Sequence, residues 1–133
     1  MKYENENQIA AMVAAFENGT IADADWRHAE HLIAAYHYLS KHDFETALGK
    51  MRDGILNLLK AFGADSSKYH ETLTVFWMRT VDDFRKSNPA LAPAEACRLL
   101  TEKYGRDYVD AFYSPECLAT DKARTEYVAP DRV

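Results

Sequence analysis

The stretch from Phe44 to Phe62 constrains the fold most, because its apolar residues repeat with a helical period. Phe44, Leu48, Met51, Ile55, Leu58 and Phe62 are spaced in alternating fours and threes, which lines them along one side of an α-helix. Asp43 stands where an N-cap carboxylate belongs, and Gly63 follows the last apolar position as a C-terminal exit. A helix with one apolar stripe must bury it against another element, so neighbouring segments have to supply partners.

Those segments carry the same period. Ile9, Met12, Val13 and Phe16 form a stripe ended by Asn18-Gly19. A second helix is predicted from about Trp26 to Lys41, capped by Asp23 or Asp25, with Ala29, Leu32, Ile33, Tyr36 and Leu39 inward. A fourth is capped by Ser66 or Ser67 and closes at Asn88-Pro89, turning Tyr69, Leu73, Phe76, Trp77, Thr80 and Phe84 inward. Its Thr72–Trp77 run alternates like a strand, but the longer 3.6-residue register favours helix. Pro93 starts a fifth helix through Leu100 and Tyr104 to Gly105. Shorter pieces follow: Asp107 to Phe112, a Ser114 cap before Pro115, and a last helix from Thr120 or Asp121 through Tyr127 and Val128. The expectation is an all-α fold, a single domain over residues 1–133. It is a helical bundle of four to five longer helices plus short C-terminal helices.

Composition agrees with one globular domain: 133 residues, 47% hydrophobic and 28% charged. The net charge is −5, and the cations sit beside acids, as in Lys50-Met51-Arg52-Asp53. This predicts solvated helix faces, Asp82-Asp83 among them, and no nucleic-acid partner. With no span-length apolar run and no signal-like h-region at the N-terminus, the chain reads as cytoplasmic, without a membrane partner. Cys97 and Cys117 lack CxxC spacing and read as free, semi-buried thiols.

Chemistry concentrates in two blocks, Trp26-Arg27-His28-Ala29-Glu30-His31-Leu32 and Tyr69-His70-Glu71-Thr72-Leu73-Thr74. On a helical wheel Asp25, His28 and His31 follow at i, i+3, i+6, with neighbouring Cβ atoms about 5–6 Å apart. Asp25-x-x-His28 has the shape of the carboxylate–histidine unit of di-iron bundles. His70 is predicted to point inward beside Thr74, Trp77 and Val81. Glu71 lies about 100° further round and joins it only if the first turn is irregular. The leading expectation is a pocket between the second and fourth helices lined by His28, His31 and His70, with Trp26, Tyr69 and Glu71 around it. It would bind a small molecule or a divalent metal, the three histidines then being the ligands. The HxxH spacing is looser than HExxH, and no CxxC or second HxxxH supports it. An enzyme here would use a neutral histidine as general base or a metal-bound water as nucleophile. The competing reading is a non-catalytic interaction module, homodimeric, whose histidines are hydrogen-bonded parts of the packing. His37 and His42 read as surface and helix-end residues. No GxSxG turn or Gly-rich loop is present.

Four ordered blocks resemble those of a family of small uncharacterised bacterial all-helical proteins. The pattern is W-x-H-x-x-H-L, Y-H-E-T-x-T, aromatic-Y-S with a following Leu, and A-R-x-x-aromatic-V-x-P-D. The last two read here Phe112-Tyr113-Ser114 with Leu118, and Ala123-Arg124-Thr125-Glu126-Tyr127-Val128-Ala129-Pro130-Asp131. The resemblance runs from about residue 26 to 131, with Tyr127 where the family often has Trp. It implies a helical fold and a bacterial source, and brings no reaction. It draws in Arg124 and Asp131. On one reading the tail folds back and supplies Arg124 to the histidine pocket, where a guanidinium could clamp a carboxylate or phosphate. On the other, Arg124 bridges to a helix C-terminus or to Asp131.

Overall fold

The apolar stripe that begins at Phe44 becomes α3, Phe44–Ala61. The computed structural model describes residues 2–132 and is all-α, with no strand among the described residues. The other helices are α1 Glu6–Glu17, α2 His28–Lys41, α4 Glu71–Ser87, α5 Pro93–Lys103, α6 Pro115–Leu118 and α7 Asp121–Thr125. Short 3-10 turns cover Asp23–Asp25, Ser66–Lys68 and Arg106–Ala111.

Caps fix most boundaries where the sequence puts them. Asp43 accepts from Thr46 N, Ser114 from Cys117 N and Thr120 from Ala123 N. Gly19 (φ 69°) and Gly63 (φ 72°) take the left-handed conformation that ends α1 and α3. Two N-termini differ from expectation. Asp23 and Asp25 lie in a 3-10 turn, not at a cap, and α2 begins only at His28. Ser66 and Ser67 are also in a 3-10 turn, capped by Asp65, and His70 is the N-cap of α4.

α2 occupies the centre, packed against α1, α3, α4 and α5. Leu32, Ile33, Ala34, Ala35, Tyr36, Tyr38 and Leu39 are all buried. That is more of the helix than its predicted stripe, as expected of an element covered all round. Glu30 is buried there too, and both its oxygens are satisfied. Oε2 accepts from the Tyr3 hydroxyl at 2.7 Å and Oε1 from Arg27 N at 3.1 Å. On α3, Gly54 sits in the buried row between Met51 and Leu58, and the Phe16 ring fills the space where a Cβ would stand.

α4 is buried on two sides. Its Val75, Met78 and Val81 join the main core, while Phe76 packs with Val109 and Tyr113 in a second cluster under the C-terminal segment. This double burial rotates the most buried row away from the predicted one, leaving Leu73, Trp77 and Thr80 half-covered. Asp82, expected to face solvent, is buried and paired with Arg85 (3.1 Å) and Lys86 (3.0 Å). Cys97 is a buried free thiol and Cys117 a half-buried one; burial pushes Cys97 up to about 12.

The last helix stops at Thr125, short of its predicted end, because α4 captures the chain beyond it. Thr72 Oγ1 donates to Glu126 O (2.9 Å) and accepts from Val128 N (3.1 Å). The Tyr113 hydroxyl donates to Val128 O at 2.6 Å. Asp131 then accepts from Ser114 N (2.8 Å) and Ser114 Oγ (2.5 Å). The tail does fold back over the helices, and Asp131 is held by Ser114 and not by Arg124.

Candidate functional site

Ile55 and Phe62 of the α3 stripe stay half-exposed above buried Met51 and Leu58. Met51, Ile55, Leu58 and Phe62 form the apolar floor of a cleft of about 860 Å³, within the range of small-molecule sites. α2 supplies Ala29, His28 and His31, α4 supplies Leu73, Thr74 and Trp77, and Val109 and Leu118 come from the C-terminal segment. Trp26, Tyr69 and His70 also line it. Ala29 and Ala35 are the small residues that α2 contributes to the cleft lining.

The histidines reach this cleft in three different states. His28, the first residue of α2, points Nε2 at the carbonyl oxygen of Tyr104, 3.1 Å away, and packs edge-on against Trp77 with centroids 4.7 Å apart. A carbonyl only accepts, so Nε2 carries the proton. His70 spends both nitrogens. Nδ1 accepts from Leu73 N at 3.2 Å as the α4 cap, and Nε2 donates to Leu118 O at 2.8 Å. Its tautomer is therefore fixed and neutral. His31 lies one turn into α2, against the Trp26 ring (centroids 4.3 Å), and neither ring nitrogen has a hydrogen-bond partner among the described residues.

All three are held below the ordinary imidazole value. Burial lowers His31 to about 4, with His28 and Arg106 adding to it. For His28 and His70 burial again dominates, opposed by the backbone hydrogen bonds to Tyr104 and Leu118. At neutral pH the cleft holds neutral imidazoles.

As a metal-ligand set they do not converge: among the described residues no group of three or more His, Cys, Asp or Glu side chains is placed to hold an ion. His70 has no free nitrogen for a divalent metal, and His28 has one. The di-iron-like unit also fails to form, since Asp25 lies outside α2, largely exposed and 4.0 Å from Lys2.

Glu71 and Arg124, expected around the pocket, are not among the cleft's lining residues. Glu71 reaches across to α3, where Arg52 binds it with two hydrogen bonds of 2.9 and 2.6 Å, and Tyr69 donates a third at 2.6 Å. The Arg52 guanidinium, followed by the Tyr69 hydroxyl, holds the Glu71 carboxyl below its usual range. Arg124 is half-buried, and its positive charge adds to the lowering of His70. Arg52 was hidden in sequence inside a charge cluster that reads as solvated surface. Glu30 and Thr72 were hidden inside the histidine blocks, and their polarity in otherwise apolar helical registers was the available signal.

Around the mouth of the cleft stand Arg27, Lys68 and Arg106, all exposed, with Asp23 the only carboxylate among its described lining residues. No family model, curated protein or solved structure matches the chain.

Proposed function

We propose that this protein binds a small molecule in the cleft between α2, α3 and α4, with His31 as its central polar contact. One observation carries the reading. His31 lines the cleft over an apolar floor, and neither ring nitrogen is hydrogen-bonded to the described residues, so both are open to a partner from solution. A bound molecule supplies that partner and covers Ile55 and Phe62, which the fold leaves half-exposed.

Binding fits better than acid–base catalysis. An imidazole held at about 4 is a weak base at neutral pH, and the other two histidines have their protons committed to backbone oxygens. In this reading His28 and His70 are structural, as the competing interpretation of the sequence had all three, and only His31 meets the ligand.

Fragment screening by NMR tests this, using the indole N–H signals of Trp26 and Trp77 as reporters. Hits should shift both indoles together and lose affinity in His31→Ala. A library that binds elsewhere, or perturbs neither indole at millimolar concentration, would sink the reading.

A further inference from the structure

The charges at the cleft mouth narrow the ligand class, an inference that rests on the small-molecule reading above. The chain as a whole carries −5, yet the cleft lining holds Arg27, Lys68 and Arg106 against the single carboxylate Asp23. Arg27 is exposed and uses Nε on Ala24 O (2.9 Å). Lys68 lies near Asp65, whose carboxylate is occupied in capping Ser67. Arg106 sends its charge toward both His28 and His31. Cations at the rim of a low-dielectric, apolar cleft focus a positive potential into it and draw anions from a solution the rest of the surface repels. Inside, neutral His31 offers an N–H, and Trp26 and Trp77 offer flat apolar surface.

We infer that the ligand is an amphiphilic anion. Its flat or branched apolar body lies on Ile55 and Phe62, and its carboxylate, phosphate or sulfonate head faces Arg106 and Lys68. A purely polar phosphate would leave the floor wet, and a neutral lipophile would leave the rim cations without a role.

Two probes with one aromatic body separate charge from shape: 8-anilinonaphthalene-1-sulfonate and the uncharged N-phenyl-1-naphthylamine. Each is titrated by fluorescence into the intact protein at low and high salt. The sulfonate should bind one per chain, about tenfold tighter than the neutral probe at low salt, and lose that advantage as salt rises. Arg106→Glu combined with Lys68→Glu should remove the advantage and leave the neutral probe unchanged; both positions are exposed, so the fold is not at stake. Ala29→Phe, which fills the cleft wall, should weaken both probes and so place them. Equal affinity for the two probes, or a sulfonate preference that survives charge reversal, overturns the anionic class while the cleft reading stands. Failure of both probes to bind with defined stoichiometry, or indifference to Ala29→Phe, overturns the cleft itself.

Discussion

The imidazole Nε2 of His70 lies 2.8 Å from the carbonyl oxygen of Leu118, forty-eight residues later in the chain. With Nδ1 capping α4 on Leu73 N, one side chain both starts a helix and anchors the C-terminal segment. His70→Ala should cost roughly 2 kcal/mol, the sum of a lost cap and a lost buried hydrogen bond. His70→Asn can cap but cannot reach Leu118, and should recover about half of that by the same reckoning. Urea unfolding measures both; equal stability of the two variants would refute the double role.

The histidines predict a definite acid response. An unfolded imidazole titrates near 6.5, whereas folded His31 titrates at about 4 and His28 and His70 are lowered too. Between those values the unfolded chain binds more protons. Stability is therefore full above about pH 7 and falls as pH drops through 6.5 toward 4. His31 alone accounts for roughly 3 kcal/mol over that window. The Glu71 contribution, from a lowered carboxyl, disappears only at more acid pH. Chemical unfolding at pH 7.5, 6 and 5 should show the decline, and His31→Asn should make it shallower while the share of His28 and His70 remains. A flat wild-type profile contradicts the burial of His31.

Arg52 and Glu71 join α3 to the first turn of α4, with the Glu71 side chain 14% exposed and that of Arg52 37%. Because the acid is the more enclosed partner, Arg52→Met, which leaves its carboxylate unpaired, should destabilise more than Glu71→Gln. A double-mutant cycle should give a coupling of about 1–2 kcal/mol. Additive single effects would mean the pair is no more than a surface contact.

Gly54 tests the packing beneath the cleft. Alanine is the better helix former by roughly 1 kcal/mol, but its Cβ would run into the Phe16 ring. Phe16 is fully buried and stacks on Trp26 with centroids 4.4 Å apart and planes 6° from parallel. Gly54→Ala should therefore lose about 1–3 kcal/mol net, and near-ultraviolet circular dichroism should show Trp26 displaced. A stabilised variant would show that the propensity gain outweighs the overlap.

The all-α fold was legible in sequence because its signals are local. The stripe from Phe44 to Phe62, the Asp43 and Thr120 caps and the Gly19 and Gly63 exits each act within one or two turns. What was not legible depends on contacts between distant segments. The Ser66–Ser67 pair reads as a cap, but the chain needs an extra 3-10 turn before His70 can reach Leu118. Tyr127 and Val128 have helical period, yet Thr72, more than fifty residues away, draws that backbone into an extended path. In the candidate site, His28, His31 and His70 were singled out by residue type. Which nitrogens stay free depends on Tyr104 and Leu118 carbonyls, which carry no sequence signature. Glu71 lost its expected place for the same reason, since its partner Arg52 looked like a solvated charge.

The clasp over α4 has an asymmetry that bears on how such a chain can drift. His70, Thr72 and Tyr113 grip the carbonyl oxygens of Leu118, Glu126 and Val128, groups that every amino acid possesses. The gripping residues are tied to their chemistry, while the gripped ones can change side chain and still be held. In the descent of this protein, replacement should accumulate freely at Glu126 and stall at Thr72. Part of the polar crowding of the Tyr69–Thr74 block is then the trace of His70 and Thr72, which hold other parts of the chain by their main chain.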